Sequence, residues 1–158
     1  NFTSSLGLLR LQYEALVRSI WVYYAASDIA VKKLASDLTI DTERKASNLP
    51  MLSEMLETMK GKAPKNALDP LLEFKEYSWK PLSSYIHGGI HAIDRHSKGY
   101  PLELLVQTLK ASNGVNGMVG YFLALLTGDP ELAKNIHNTF FEFKFKDCLP
   151  NHKSKKTL

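Results

Sequence analysis

Two groups of polar side chains in this sequence are of types and at spacings that could do chemistry. The first is Arg10, Glu14 and Arg18, each four residues from the next within an otherwise apolar segment. On a helix that spacing puts all three on one face, about 6 Å apart in rise, so Glu14 can pair with either guanidinium. Read functionally, one arginine faces a cleft and meets the oxygens of an anion in pairs with its planar fork, while Glu14 orients it. Read structurally, the three form an exposed ion-pair ladder worth about 0.2–0.5 kcal/mol per pair.

The second group is Ser83-Ser84-Tyr85-Ile86-His87-Gly88-Gly89-Ile90-His91-Ala92-Ile93-Asp94-Arg95-His96. If one helix runs through both glycines, His87, His91 and Arg95 share a face, with Ser83 or Ser84 one turn before His87. Each glycine costs about 1 kcal/mol relative to alanine in a helix, so the pair asks for a reason such as close approach of a backbone or ligand. Three readings stay open. His87 and His91 at this spacing could share a metal ion, although no Glu follows the first histidine and no third ligand is evident. Alternatively a histidine moves a proton near neutral pH while Arg95 stabilises an anion forming on phosphorus. In the third, His87 only bonds across helices that the glycines let pack closely. No metal site and no cofactor is assigned, and His137 and His152 are read as incidental.

The elements that must position these groups are helical. Leu6, Leu9, Tyr13, Leu16, Val17, Ile20 and Tyr24 recur at steps of three and four, opening a helix that Ser4 or Ser5 can cap. Ser27-Asp28 offers a second cap for residues 29–38, and residues 39–49 read as a connection with one turn of helix. Proline suits a first helical turn, so Pro50, Pro70 and Pro81 are expected to open helices over 51–60, 71–77 and 82–95. A long helix follows from Leu102 to Leu126, Thr127-Gly128-Asp129-Pro130 reads as a stop and a new start, and a last helix runs over 131–145. Gly114, Gly117 and Gly120 suggest close packing against another helix or across a dimer interface. Trp21, Trp79 and the C-terminal phenylalanines are expected as core or interface. The expected fold is all-α, an antiparallel bundle of six or seven helices over residues 1–148, with a basic tail over 149–158.

Composition sets outer limits. At 158 residues, 44% hydrophobic and 23% charged, the chain suits one globular domain and excludes a low-complexity fibre. Its net charge of +4 favours anionic partners without demanding them. Several of the lysines, Lys144, Lys146, Lys153, Lys155 and Lys156, are interleaved with polar residues near the end, as a solubilising tail or an electrostatic arm. The single Cys148 forms no internal disulfide, which points to a reducing compartment, the cytoplasm. No segment is apolar for long enough to span a bilayer, and Asn1 to Ser5 lacks the basic start of a signal peptide. Phosphate-binding glycine loops, a CxxC pair and a GxSxG elbow are all missing, so kinase, dehydrogenase and hydrolase readings lose their usual warrants.

The run Leu9-Arg10-Leu11-Gln12-Tyr13-Glu14-Ala15-Leu16-Val17-Arg18-Ser19-Ile20-Trp21, with Ser84-Tyr85-Ile86-His87-Gly88-Gly89 later, resembles a group of bacterial all-helical proteins. These are similar to the HEPN-like superfamily, whose better-known members are ribonuclease toxins and phage-defence effectors, often dimeric. The resemblance extends over residues 5–128. It implies His87 in the place of the catalytic histidine and Arg18 or Arg95 as the arginine facing phosphate, with Arg10, Glu14, Ser84 and His91 around the substrate. The superfamily's arginine with a histidine four to six residues downstream is absent here. The function expected is therefore an RNA- or nucleotide-directed cytoplasmic effector of phage-defence or toxin–antitoxin type, acting as a metal-independent ribonuclease. It would be a homodimer, with a protein partner such as an antitoxin and no membrane. The alternative is a non-catalytic helical interaction or dimerisation module.

Overall fold

The structure, a computed structural model, describes residues 1–37, 39–41, 44, 49–142 and 145–150. Among these residues are seven α-helices and no strand, an all-α helical bundle. In chain order they are α1 (Phe2–Tyr24), α2 (Asp28–Ala35), α3 (Leu52–Met59), α4 (Lys65–Ile86), α5 (Ile90–Lys98), α6 (Leu102–Thr127) and α7 (Pro130–His137). A π-helical turn, Asn138–Glu142, and a 3-10 turn, Lys146–Cys148, follow. The connection expected over 39–49 lies largely outside the described residues, as do Leu38 and the tail from residue 151 onward.

Two compact units make up the chain, Glu14–Phe74 and the combination of Asn1–Tyr13 with the chain from Lys75 onward. In the first, α1 supplies Leu16, Val17, Ile20 and Trp21 to the interior, α3 supplies Met55, Leu56 and Met59, and α4 supplies Leu68 and Leu71. These are the three- and four-residue steps that put one stripe of a helix into a core. Trp21 Nε1 donates to Thr58 Oγ1 at 3.1 Å, so the indole is buried without an orphaned N–H. Ser27 caps α2 as its type suggests, its Oγ accepting the Ala30 N–H at 3.3 Å.

In the second unit the interior is built from Leu6, Leu9 and Tyr13 of α1, Leu82 and Tyr85 of α4, Ala92 of α5, and Ala111, Val115, Phe122 and Ala124 of α6. The glycines of α6 are used within the chain. A Cβ on Gly117 would stand 3.0 Å from Phe140 and 3.2 Å from Phe141, and one on Gly114 would stand 3.3 Å from Pro150. The π-helical turn and the segment behind it therefore occupy the space that a dimer contact was expected to take at these two positions. The stop at Gly128 and the restart at Asp129-Pro130 lie where the sequence put them, with Asp129 Oδ1 accepting the N–H groups of Glu131 and Leu132.

Two expectations about the central helices are overturned. Pro70 and Pro81 do not open helices. Both lie inside α4, which runs unbroken from Lys65 to Ile86. A proline inside a helix removes one hydrogen bond and crowds the preceding turn, at a cost of about 3 kcal/mol. Burial of Leu68, Leu71, Leu82 and Tyr85 along the same helix outweighs that cost, a case of tertiary packing overriding propensity. Conversely, the helix expected over 82–95 breaks at the glycine pair. Gly88 takes a left-handed conformation, φ 63°, and the Gly89 N–H returns to the Ser84 carbonyl at 2.7 Å. That six-to-one bond behind a left-handed residue is the Schellman stop, so the glycines end α4 and do not pass through it.

Gly89 is held closely as well. A Cβ there would lie 2.5 Å from Ser84 Oγ and 3.3 Å from Ser84 Cα. Gly89→Ala is expected to destabilise the fold by about 1–3 kcal/mol in urea unfolding. Gly88→Ala, strained by its φ alone, is expected to cost about 1–2 kcal/mol. Adding Ser84→Ala to Gly89→Ala should recover part of the first loss and none of the second, and purely additive losses would contradict the steric origin.

Candidate functional site

The candidate site lies in the unit formed by Asn1–Tyr13 with the chain from Lys75, and α1 begins it. Arg10 stands one turn beyond buried Leu6 and three residues before buried Tyr13, at the margin of the apolar stripe, and is half-buried. Its guanidinium carbon is 4.4 Å from the centroid of the Trp79 ring, a cation–π contact. Its Nη1 is 3.2 Å from Nε2 of His87, the residue immediately after α4. A guanidinium only donates, so Nε2 accepts and the ring proton of a neutral His87 resides on Nδ1. Trp79 is in turn met edge-on by Tyr13, centroids 6.1 Å apart. Tyr13 has no exposed surface, and burial pushes its phenol well above the ordinary range. The indole under Arg10 is thus backed by a neutral ring in the core.

Beside this pair α5 starts afresh. Ser84 Oγ accepts the backbone N–H of His91 at 3.1 Å, tying the first turn of α5 to the last of α4. The His91 ring lies over Tyr85, centroids 6.2 Å apart and planes 28° apart. A cleft of about 160 Å³ opens here, lined by Leu6, Pro81, Leu82, Tyr85, His91, Arg95 and Leu104. Arg95 contacts Asp94 at 3.3 Å and the Gly99 carbonyl at 3.5 Å. Tyr85 is 8% exposed. Burial above all raises its phenol, with Tyr100 and Asp94 adding to it, and the Arg95 charge and hydrogen bond offset only part of the rise.

The residues expected from sequence are therefore distributed unevenly. Arg10, Ser84, His87, His91 and Arg95 belong to one unit, and Glu14 and Arg18 belong to the other. The face expected to carry His87, His91 and Arg95 together does not exist, because the helix stops between the first and the second. His91 and Arg95, four residues apart on α5, line the cleft, while His87 pairs with Arg10. Arg10 is the guanidinium in contact with His87, and Arg18 is exposed. Trp79 and Tyr85 escaped sequence reasoning because aromatic residues at helical spacing read as core. The available signal was the position of Tyr85 beside Ser84 and of Trp79 two turns ahead of His87. Among the described residues no three His, Cys, Asp or Glu side chains are grouped to hold a metal ion.

Asp94 closes the electrostatics of α5. The Lys98 ammonium, 2.5 Å away, holds its carboxyl below the usual range, with the Arg95 charge assisting. A lowered folded-state value means that this contribution to stability is present above the unfolded value and is lost as pH falls through the folded one. The melting-temperature gap between wild type and Asp94→Asn is expected to be widest above the ordinary aspartate range and to narrow as pH falls below it. A gap that widened on acidification would contradict the pairing.

No described helix is long and apolar enough to cross a membrane. No curated protein and no solved structure matches the chain. One family model matches residues 1–151, nearly the whole length, and by it the chain belongs to DUF6988, a family of unknown function.

Proposed function

We propose that the protein is an RNA- or nucleotide-directed effector of phage-defence or toxin–antitoxin type, working in the cytoplasm as a metal-independent ribonuclease. The observation that carries this is the contact of Arg10 with His87, a guanidinium clamped on an indole and aimed at an exposed imidazole. A phosphodiester approaching Arg10 competes for its donors and draws them off Nε2 of His87. The freed Nε2 then takes the proton of the ribose 2′-OH, the 2′ oxygen attacks phosphorus, and Arg10 balances the charge that builds on the phosphate oxygens. The 5′ oxygen leaves with a proton from an acid, a role that His91 suits by its type. Resemblance to HEPN-like proteins supports the same class of reaction.

A second reading, a non-catalytic interaction or homodimerisation module with a protein partner such as an antitoxin, is favoured by a different observation. Leu102, Val106 and Leu109 follow one another by four and three residues on α6 and are 76%, 43% and 63% exposed. An apolar helix stripe left in water is a feature of contact surfaces.

The two are separated by incubating purified protein with labelled RNA in EDTA. His87→Ala is expected to lower the cleavage rate about 10²–10⁴-fold, as the loss of a general base does. Arg10→Ala should lower it comparably, and Arg10→Lys should restore little because lysine lacks the planar fork. Cleavage indifferent to both substitutions would remove the pair from the mechanism. Absence of both cleavage and binding on every RNA, with a dimer in light scattering, would favour the interaction module.

A further inference from the structure

Where α1 begins, its first side chains meet the end of α5 and the link that leads into α6. Phe2 opens α1 and is 52% exposed, yet its ring is not loose. It rests on Tyr100, centroids 5.4 Å apart and planes 48° apart. Tyr100 is half-buried, and its hydroxyl is 2.5 Å from Thr3 Oγ1, which is also 3.4 Å from Nε2 of His96. One ring is therefore anchored, and the other stands on it with more than half of its surface in water. A ring supported in this way loses little freedom when a second flat ring settles on it.

The surroundings of the two rings are cationic. The last turn of α5 carries Arg95, His96 and Lys98, and the helix has one carboxylate, Asp94, with which both Arg95 and Lys98 pair. The Lys98 side chain is 71% exposed. A purely apolar partner covering Phe2 would strip water from this charge and return nothing. A phosphate backbone would pair with it, and aromatic faces beside cations are how single strands of nucleic acid are held with little regard to sequence. A duplex keeps its bases inside the stack and has none to offer.

Phe2 is also well placed for the pair that acts on the phosphodiester in the reading above. Phe2, Leu6 and Arg10 follow one another at four-residue steps, so they lie along one side of α1 with about 12 Å of rise from first to last. Phosphates are about 3.4 Å apart along a stacked strand and further apart along an extended one. A strand with a base on Phe2 therefore brings a phosphate a few nucleotides away to Arg10 and His87.

We propose that Phe2, backed by Tyr100, is a stacking platform for one base of single-stranded RNA, a few nucleotides from the phosphate that Arg10 meets. The inference rests on the RNA-directed reading and deepens it, naming single-stranded RNA as the substrate class.

The test is fluorescence anisotropy at fixed salt with hexauridylate and hexaadenylate, each 2′-O-methylated so that it cannot be cleaved. Phe2→Ala is expected to weaken both strands about tenfold, within the range for one lost base–aromatic stack, and to leave binding of a duplex of equal length unchanged. Phe2→Leu, which keeps an apolar side chain without a π face, should weaken them nearly as much. Phe2→Trp should keep the affinity and add an indole emission that the bound strand quenches. Full affinity in Phe2→Ala or Phe2→Leu, with Arg10→Ala still weakening binding, overturns the platform while the RNA-directed reading stands. Loss of a dimer in light scattering on Phe2→Ala, with RNA affinity unchanged, gives the rings to a protein contact and overturns the platform as well. No binding of any strand by wild type overturns both.

Discussion

A turn at a glycine pair, its first residue left-handed and its second extended, governs what the rest of this site can be. With φ at 63°, Gly88 turns the chain out of α4, and Gly89 follows so closely over Ser84 that no side chain fits between them. The returning N–H of Gly89 satisfies the Ser84 carbonyl, and the Ser84 hydroxyl accepts the N–H of His91. One serine thus closes both a helix end and a helix start, where unpaired backbone groups would otherwise be left. His87 stands just before this turn, its N–H still bonded to the Ser83 carbonyl in the last turn of α4, and it reaches Arg10. His91 and Arg95 are carried round on a separate short helix to the cleft.

The cationic groups that result are few but well supported. Arg10 is held from two sides, by the π face of Trp79 and by the ring nitrogen of His87, and the indole is itself backed by Tyr13 in the core. A guanidinium fixed in this way loses less conformational freedom when it meets an anion, which is what preorganisation contributes to binding. Arg95 is steadied differently, by Asp94 and the Gly99 carbonyl, while Lys98 pairs with Asp94 from the next turn. The two arginines therefore have distinct surroundings, one over an aromatic face beside an imidazole and the other at the rim of an apolar cleft.

How legible these features were follows from the range over which each signal acts. Stripes such as Leu6, Leu9, Tyr13, Leu16 and Val17 declare a buried helix face by local spacing alone. Ser27 and Asp129 announce caps because a side-chain oxygen needs only the next turn of backbone. The prolines misled for the opposite reason. At Pro70 and Pro81 the local cost is real, but residues buried along α4 outweigh it, and burial depends on neighbours that spacing does not name. The glycine pair carried a valid stop signal that was read as a helix passing through, since periodicity on either side of it is helical.

The order of residues by itself determined that the chain is helical, where α2, α3 and α6 lie to within a few residues, and that arginine, serine and histidine gather in two short stretches. Those properties follow from backbone preference and period, which are local. Tertiary structure alone decided that Arg10 contacts His87, that Tyr85 rather than His87 shares the cleft with His91 and Arg95, and that Phe140, Phe141 and Pro150 occupy the space beside the α6 glycines. Arg10 and His87, and the α6 glycines and their neighbours, are far apart in the chain, and only packing of whole helices sets such distances; Tyr85, His91 and Arg95 are close in the chain, and the turn at Gly88 sets their grouping.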